Sequence, residues 1–245
     1  MKSLTEIFNI KKGDVVSIVG SGGKTSLLYK LSEELRNEYR VMVSTSARIL
    51  MPTSGCYDFL HEDIESYFRS KPNNLNGVTV VAKKINRDSN KLMGIGNEDL
   101  DKLLPHFDIV LLEADGSKKL PIKGWKSHEP PVLIKTTKSI GVFPANFINK
   151  EVKQDFIYGF DEFNILTDNS EYINFETMAK ICFNKNGLFK NSMGSLYLFL
   201  NKADTHEVAA VCEELSDYLN NQMVNKTIKF KVCFGSLKNG VYYEC

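Results

Sequence analysis

Short apolar runs alternate along this chain with stretches of helical period, and the alternation itself predicts an architecture. Val15 to Val19 is β-branched and ends in glycines, and Ser26 to Leu35 follows with Leu27, Leu28, Leu31 and Leu35 on one helical face. That is strand, loop, helix. Val41 to Val43 and Val78 to Ala82 predict two more strands, the second after an Asn-rich loop, with a helix over Asp58 to Arg69 between them. The polar centre of Lys83 to Gly96 predicts a hairpin or excursion. Asn97 to Leu104 predicts a helix ended by Pro105, and Ile109 to Leu112, apolar throughout, a strand covered on both faces.

Ser117 to Pro131 carries three prolines and many charges, which predicts a long irregular loop of the kind that lids a site. Ser139 to Phe143 predicts another strand, and 149–191 a mainly helical insertion that caps the fold. Leu196 to Leu200 and Ile228 to Phe234 predict the last strands, with an amphipathic helix over Glu207 to Leu219 between them. The expectation is one α/β domain over residues 1–245, a three-layer P-loop NTPase fold whose mostly parallel sheet is flanked by helices. Ligands of such sheets bind beyond the strand carboxyl ends.

Charge narrows the function. Lys and Arg number 31 against 30 Asp and Glu, so no overall field favours nucleic acid or an anionic membrane, and any anion must be held locally. No apolar run approaches the roughly 18 residues of a membrane span, and Met1 to Lys12 lacks a basic region followed by an apolar one, so a cytoplasmic location is expected. The five cysteines form no C-x-x-C pair and read as reduced, mostly buried thiols. The four histidines lack H-x-x-x-H spacing, so no transition-metal site is expected.

Gly20-Ser21-Gly22-Gly23-Lys24-Thr25, between a predicted strand and helix, has the make-up of a phosphate-binding P-loop. Its glycines allow close backbone approach, Lys24 would reach the β- and γ-phosphates, Thr25 would ligate Mg²⁺, and Ser26 would help cap the helix. The first glycine of G-x-x-x-x-G-K-[ST] is missing, its place taken by Ile18. The shortened G-x-G-G-K-T form resembles the loops of Mur-ligase-like NTPases.

Glu113 and Asp115 follow a buried strand, and their i, i+2 spacing in extended chain points both carboxylates to one side, suited to Mg²⁺. With Lys24 they are the catalytic candidates; which of the two meets the metal first is open, and a solvated acidic turn is the alternative. Glu113-Ala114-Asp115-Gly116 also resembles the D-x-x-G turn of GTPases, with Glu for Asp, which would bring the Gly116 amide to the γ-phosphate. Asn201-Lys202-Ala203-Asp204 resembles the N-K-x-D motif of GTPases, in which the aspartate accepts from guanine, so GTP is favoured over ATP; a plain helix cap by Asp204 is the alternative. Lys118, Lys119 and Lys123 could surround a second anion, and His128 with Glu129 could hold a polar substrate or move a proton. Arg48 and Thr45 are candidate phosphate contacts. A solvated basic loop is the competing reading of these residues.

Glu113-Ala114-Asp115-Gly116-Ser117, Pro121-Ile122-Lys123 and His128-Glu129-Pro130 together resemble the E-A-D-G-S, P-x-K and H-E-P signature of the YqeC-like accessory proteins. The glycine loop and the Asn201 turn stand in matching order. Members are associated with selenium-dependent molybdenum hydroxylases, so the resemblance implies an accessory or maturation factor for such an enzyme or its molybdenum cofactor. The expected activity is a Mg²⁺-dependent NTPase using GTP or ATP. Two alternatives stand beside it: a phosphoryl or nucleotidyl transferase acting on a small acceptor, and a nucleotide-gated cofactor carrier with little turnover.

Overall fold

The computed structural model describes residues 2–70 and 75–245. In chain order its strands are β1 (Val15–Gly20), β2 (Arg40–Thr45), β3 (Arg48–Leu50), β4 (Phe59–His61), β5 (Gly77–Val81), β6 (Lys84–Asn86) and β7 (Lys91–Met93). They continue with β8 (Ile109–Glu113), β9 (Ile122–Lys123), β10 (Lys138–Pro144), β11 (Ile157–Tyr158), β12 (Ser195–Asn201), β13 (Lys231–Ser236) and β14 (Val241–Glu244). The α-helices are α1 (Leu4–Ile7), α2 (Lys24–Leu35), α3 (Ile64–Arg69), α4 (Asn97–Leu103), α5 (Phe160–Thr167), α6 (Phe175–Phe183) and α7 (His206–Met223).

Nine strands form one sheet in the order β14-β13-β12-β10-β1-β8-β2-β5-β4, parallel throughout except for β14 against β13. β1 lies inside it, paired with β10 on one side and β8 on the other. All six residues of β1 are buried, and its side chains divide by parity. Val16 and Ile18 pack with Leu27, Leu28 and Leu31 of α2 and with Phe8 beside α1. On the opposite face Val15 joins Leu100 of α4 and Tyr67 of α3, while Val19 joins Phe163 of α5, Met178 of α6 and Leu215 of α7. The result is a mostly parallel sheet between two helical layers, as expected from the alternation of apolar runs. Leu27, Leu28 and Leu31 are fully buried. Each contributes up to about 1.5–3 kcal/mol, which fixes α2, and with it Lys24 and Thr25, against the sheet.

The structure departs from the sequence expectation in four places. Asp58 to Arg69 is not one helix: Phe59–His61 forms the edge strand β4 on β5, and α3 starts only at Ile64, capped by Asp63, which accepts the Ser66 amide at 2.6 Å. The stretch 149–191 is less helical than expected: α5 and α6 pack on the sheet face they share with α7, and the remainder is short strand, 3₁₀ turn and loop. Ser117 to Pro131 is no free lid, because Ile122, Lys123, Gly124 and Trp125 are buried and β9 pairs in parallel with β11. Finally, β14 closes a hairpin on β13 where no strand was expected. Residues 71–74 of the Asn-rich loop lie outside the described residues. Among the described residues no helix is long and apolar enough to cross a membrane.

Candidate functional site

At the carboxyl end of β1 the chain turns with Gly20, Gly22 and Gly23 at φ +92°, +78° and +137°. The neighbouring strands leave no room for side chains there: a Cβ on Gly20 would overlap the Val142 carbonyl, and one on Gly22 would lie 2.6 Å from the Pro144 ring. Ser21 is buried, its amide bonded to the Val142 carbonyl at 3.0 Å. Gly23 is the N-cap of α2 and no side chain caps the helix, so Ser26, exposed in the first turn, does not have the expected capping role. An uncapped helix start with free amides and a positive dipole end suits an anion.

Three side chains meet beside this turn. Thr25 Oγ1 donates to Glu113 Oε2 at 2.7 Å; Lys24 Nζ donates to the Gly20 carbonyl at 2.7 Å and lies 4.0 Å from Glu113 Oε1. The pairing follows from the sheet, since Glu113 is in register with Ile18 of β1, just before the turn. Burial pushes the Glu113 carboxyl above its ordinary range, against the opposing pull of Lys24 and the Thr25 hydroxyl. The pair sets a hydroxyl and a carboxyl group, both hard-oxygen donors, side by side.

Asp115 has a different set of partners. It is fully buried; Oδ2 accepts from Trp125 Nε1 at 2.9 Å and from the Gly20 amide at 3.3 Å, and Oδ1 faces Lys123 Nζ at 2.6 Å. Lys123, also fully buried, reaches Glu129 Oε1 at 3.0 Å and the Gly116 carbonyl at 2.5 Å. Burial raises the Asp115 carboxyl, opposed chiefly by Lys123. Only Glu113 contacts Thr25. The two acids of the strand end thus have separate partners, Thr25 and Lys24 for Glu113 and Lys123 and Trp125 for Asp115, and Lys123 and Glu129 pair with each other in an internal ion triad. Gly116 offers that triad its carbonyl, and its α-carbon faces open space.

The Asn201 turn packs against the glycine turn from the far side of β10. Asn201 Nδ2 donates to the Gly22 carbonyl at 2.9 Å, and Lys202 takes φ +66°. Asp204 does not cap α7; Thr205 does, accepting from the Val208 amide at 3.4 Å. Asp204 Oδ1 instead accepts from the Ser236 hydroxyl, and Asn239 Nδ2 bonds its carbonyl at 3.3 Å. The Leu237 amide points to Asn201 Oδ1 at 3.3 Å. Ser236, Leu237 and Asn239 sit in the β13–β14 hairpin, which the sequence pattern did not reveal; Gly235-Ser236 followed by Asn239-Gly240 was the available turn signal.

The remaining candidates disperse. Thr45 is buried and bonds the Glu113 carbonyl at 2.7 Å, a structural duty. Arg48 is exposed on β3 in a small antiparallel sheet with β7 and β6. His128 is exposed, and Glu129 is turned inward to Lys123. Lys118 and Lys119 are exposed with left-handed φ of 49° and 67°. Lys118 and Lys126 lie 5.5 and 5.8 Å from the centre of the Tyr158 ring.

The sequence model of the YqeC protein family matches residues 16–161, which takes in the glycine turn, Glu113, Asp115, Lys123, Trp125 and Glu129 but stops short of the Asn201 turn. A protein of Escherichia coli (strain K12) named Uncharacterized protein YqeC is 29% identical over 168 residues, 64% of this chain and 62% of that protein. The match therefore spans less than two thirds of the relative's length. No solved structure gives a significant match.

Proposed function

The chain belongs to the YqeC family, and from that premise we propose that it is a Mg²⁺-dependent P-loop nucleoside triphosphatase that prefers guanine and serves the maturation of a selenium-dependent molybdenum hydroxylase. One observation carries the enzymatic part: Thr25 and Glu113 share a 2.7 Å hydrogen bond beside Lys24, at the uncapped start of α2. In this reading the α2 amides and Lys24 hold the β- and γ-phosphates, and Glu113 and the Thr25 hydroxyl hold the metal. Mg²⁺, when bound, supplies neutralisation of the phosphate charge. The client enzyme follows from the family resemblance alone.

Guanine preference is supported by the order at the Asn201 turn. Ser236 donates to Oδ1 of Asp204 and so helps to orient a carboxylate whose remaining lone pairs suit the paired N–H groups of guanine, which adenine lacks.

Calorimetry with Mg²⁺ and GTP, ATP or CTP tests both parts, with Lys24→Ala as the control. Saturable GTP binding that Lys24→Ala abolishes is expected; equal heats for the two proteins, or tighter ATP than GTP binding, would contradict the reading. Product analysis decides its chemistry. Inorganic phosphate alone means hydrolysis, a modified acceptor means group transfer, and binding without either product means a nucleotide-gated carrier.

A further inference from the structure

The glycine turn and the loop 117–131 are joined by one buried carboxylate. Asp115 takes the Gly20 amide and the Trp125 indole N–H on the same oxygen, Oδ2, and gives the other to Lys123. Lys123 in turn holds Glu129 and the Gly116 carbonyl, so residues far apart in the loop are tied to one ammonium. Asp115 and Lys123 are completely buried and Trp125 is nearly so. Groups this enclosed hold one geometry, because each has no water to turn to when a partner is lost.

The Gly20 bond is the long member of the set, 3.3 Å against 2.9 Å for Trp125 and 2.6 Å for Lys123. It is also the only member on the glycine turn. An anion seated at that turn competes for the Gly20 amide or shifts it, and any movement of Gly20 changes what Oδ2 accepts. Trp125 shares that oxygen.

We infer that Asp115, Lys123, Glu129 and Trp125 form a positioning relay that couples occupancy of the glycine turn to the conformation of the loop 117–131. Asp115 is then a positioning residue, acting on nucleotide through Gly20 without touching it. The relay rests on the proposed nucleotide site for its ligand and on the buried hydrogen bonds for its mechanism. It gives the E-A-D-G-S, P-x-K and H-E-P segments a shared physical role, since Asp115, Lys123 and Glu129, one from each, are the three charges of the triad.

Trp125 is the sole tryptophan, so intrinsic emission reads the relay directly. In the full-length wild type, GTP with Mg²⁺ is expected to shift Trp125 emission with the midpoint that calorimetry gives. Asp115→Leu leaves Lys123 paired with Glu129, and should lose the shift at concentrations that calorimetry shows to be saturating. Asp115→Asn, which keeps an acceptor for Trp125 and Gly20, should restore it in part. Full amplitude in Asp115→Leu overturns the relay.

Hydrogen exchange without nucleotide separates this result from a failure of the nucleotide reading. Asp115→Leu should speed exchange in the peptide covering Gly20 to Thr25 at least about threefold, while peptides from β12 and β13 stay as in the wild type. Unchanged exchange at Gly20 to Thr25 overturns the relay whether or not GTP binds. Faster exchange with no GTP binding to the wild type keeps the coupling and removes the ligand. Global acceleration that includes β12 and β13 marks Asp115→Leu as unfolding, and Asp115→Asn then decides by emission: a shift intermediate between none and wild type at saturating GTP supports the relay, and a full or absent shift overturns it.

Discussion

Thr25 and Glu113, 88 residues apart in the chain, meet at 2.7 Å because β1 and β8 are adjacent parallel strands that place Glu113 level with Ile18, just before the turn into α2. In the proposed site this pair is the metal side of the nucleotide. Thr25→Ala is expected to raise the Mg²⁺ concentration for half-maximal turnover by at least about tenfold, the scale for loss of a metal-site partner, with Thr25→Ser close to wild type. A magnesium titration at saturating GTP checks it, and an unchanged midpoint would remove Thr25 from the metal.

Glu113 should cost stability when ionised. Its folded pKa is raised by burial, so the folded state holds the proton more tightly than the unfolded one, and stability falls as pH rises from the unfolded carboxyl value through the folded one. Glu113→Gln is therefore expected to raise the melting temperature in EDTA at pH 7 while eliminating Mg²⁺-dependent turnover. The gain should vanish below about pH 4, where the acid is protonated in both states. Melting curves at the two pH values test the sign.

Asp108 runs the opposite way. Hydrogen bonds from the Arg40 side chain dominate its environment, with the Arg40 amide at 3.1 Å and Lys12 at 3.0 Å adding to them, and its carboxyl is held well below the usual range. The stability it contributes is present above the unfolded pKa and is lost as pH falls from about 4 toward the folded value. Asp108→Ala should lower stability at pH 7 by about 2 kcal/mol, and by less in strong acid, in urea titrations.

Two glycines separate steric need from mere presence. Gly22→Ala must fit a Cβ against the Pro144 ring at φ +78°, and is expected to cost about 1–3 kcal/mol and to weaken nucleotide binding. Gly116→Ala meets open space and should stay within about 0.5 kcal/mol of wild type. Denaturation midpoints of the two variants make the comparison.

At the base end, Asp204→Ala should cut GTP-over-ATP discrimination at least about tenfold, since the loss falls on hydrogen bonds that only guanine can make. Ser236→Ala should do the same more weakly by freeing the carboxylate. Competition binding with the two nucleotides measures both, and unchanged selectivity in Asp204→Ala would place base recognition elsewhere.

The seven strands expected from apolar runs all appear in the sheet, because residues buried on both faces must be apolar without interruption whatever their neighbours are. The glycine turn was equally legible: strand, close-packed glycines and helix are all local. Asp58 to Arg69 misled because a short apolar run fits either period, and pairing of Phe59–His61 to β5 decided it. β9 and β11, two residues each, are too short to carry a pattern.

The sequence alone determined which residues carry charge near the strand ends and that a glycine-rich turn leads from a strand into a helix at Gly20 to Thr25. It placed Glu113 and Asp115 together as a pair. Only the tertiary structure parted them, giving Glu113 to Thr25 and Asp115 to Lys123, Trp125 and Gly20. The reason is physical: spacing along a strand fixes the direction of a side chain, but its partner depends on which distant segment is buried against it. A lysine in a charged loop reads as solvated until burial obliges it to find carboxylates, and Lys123 found two.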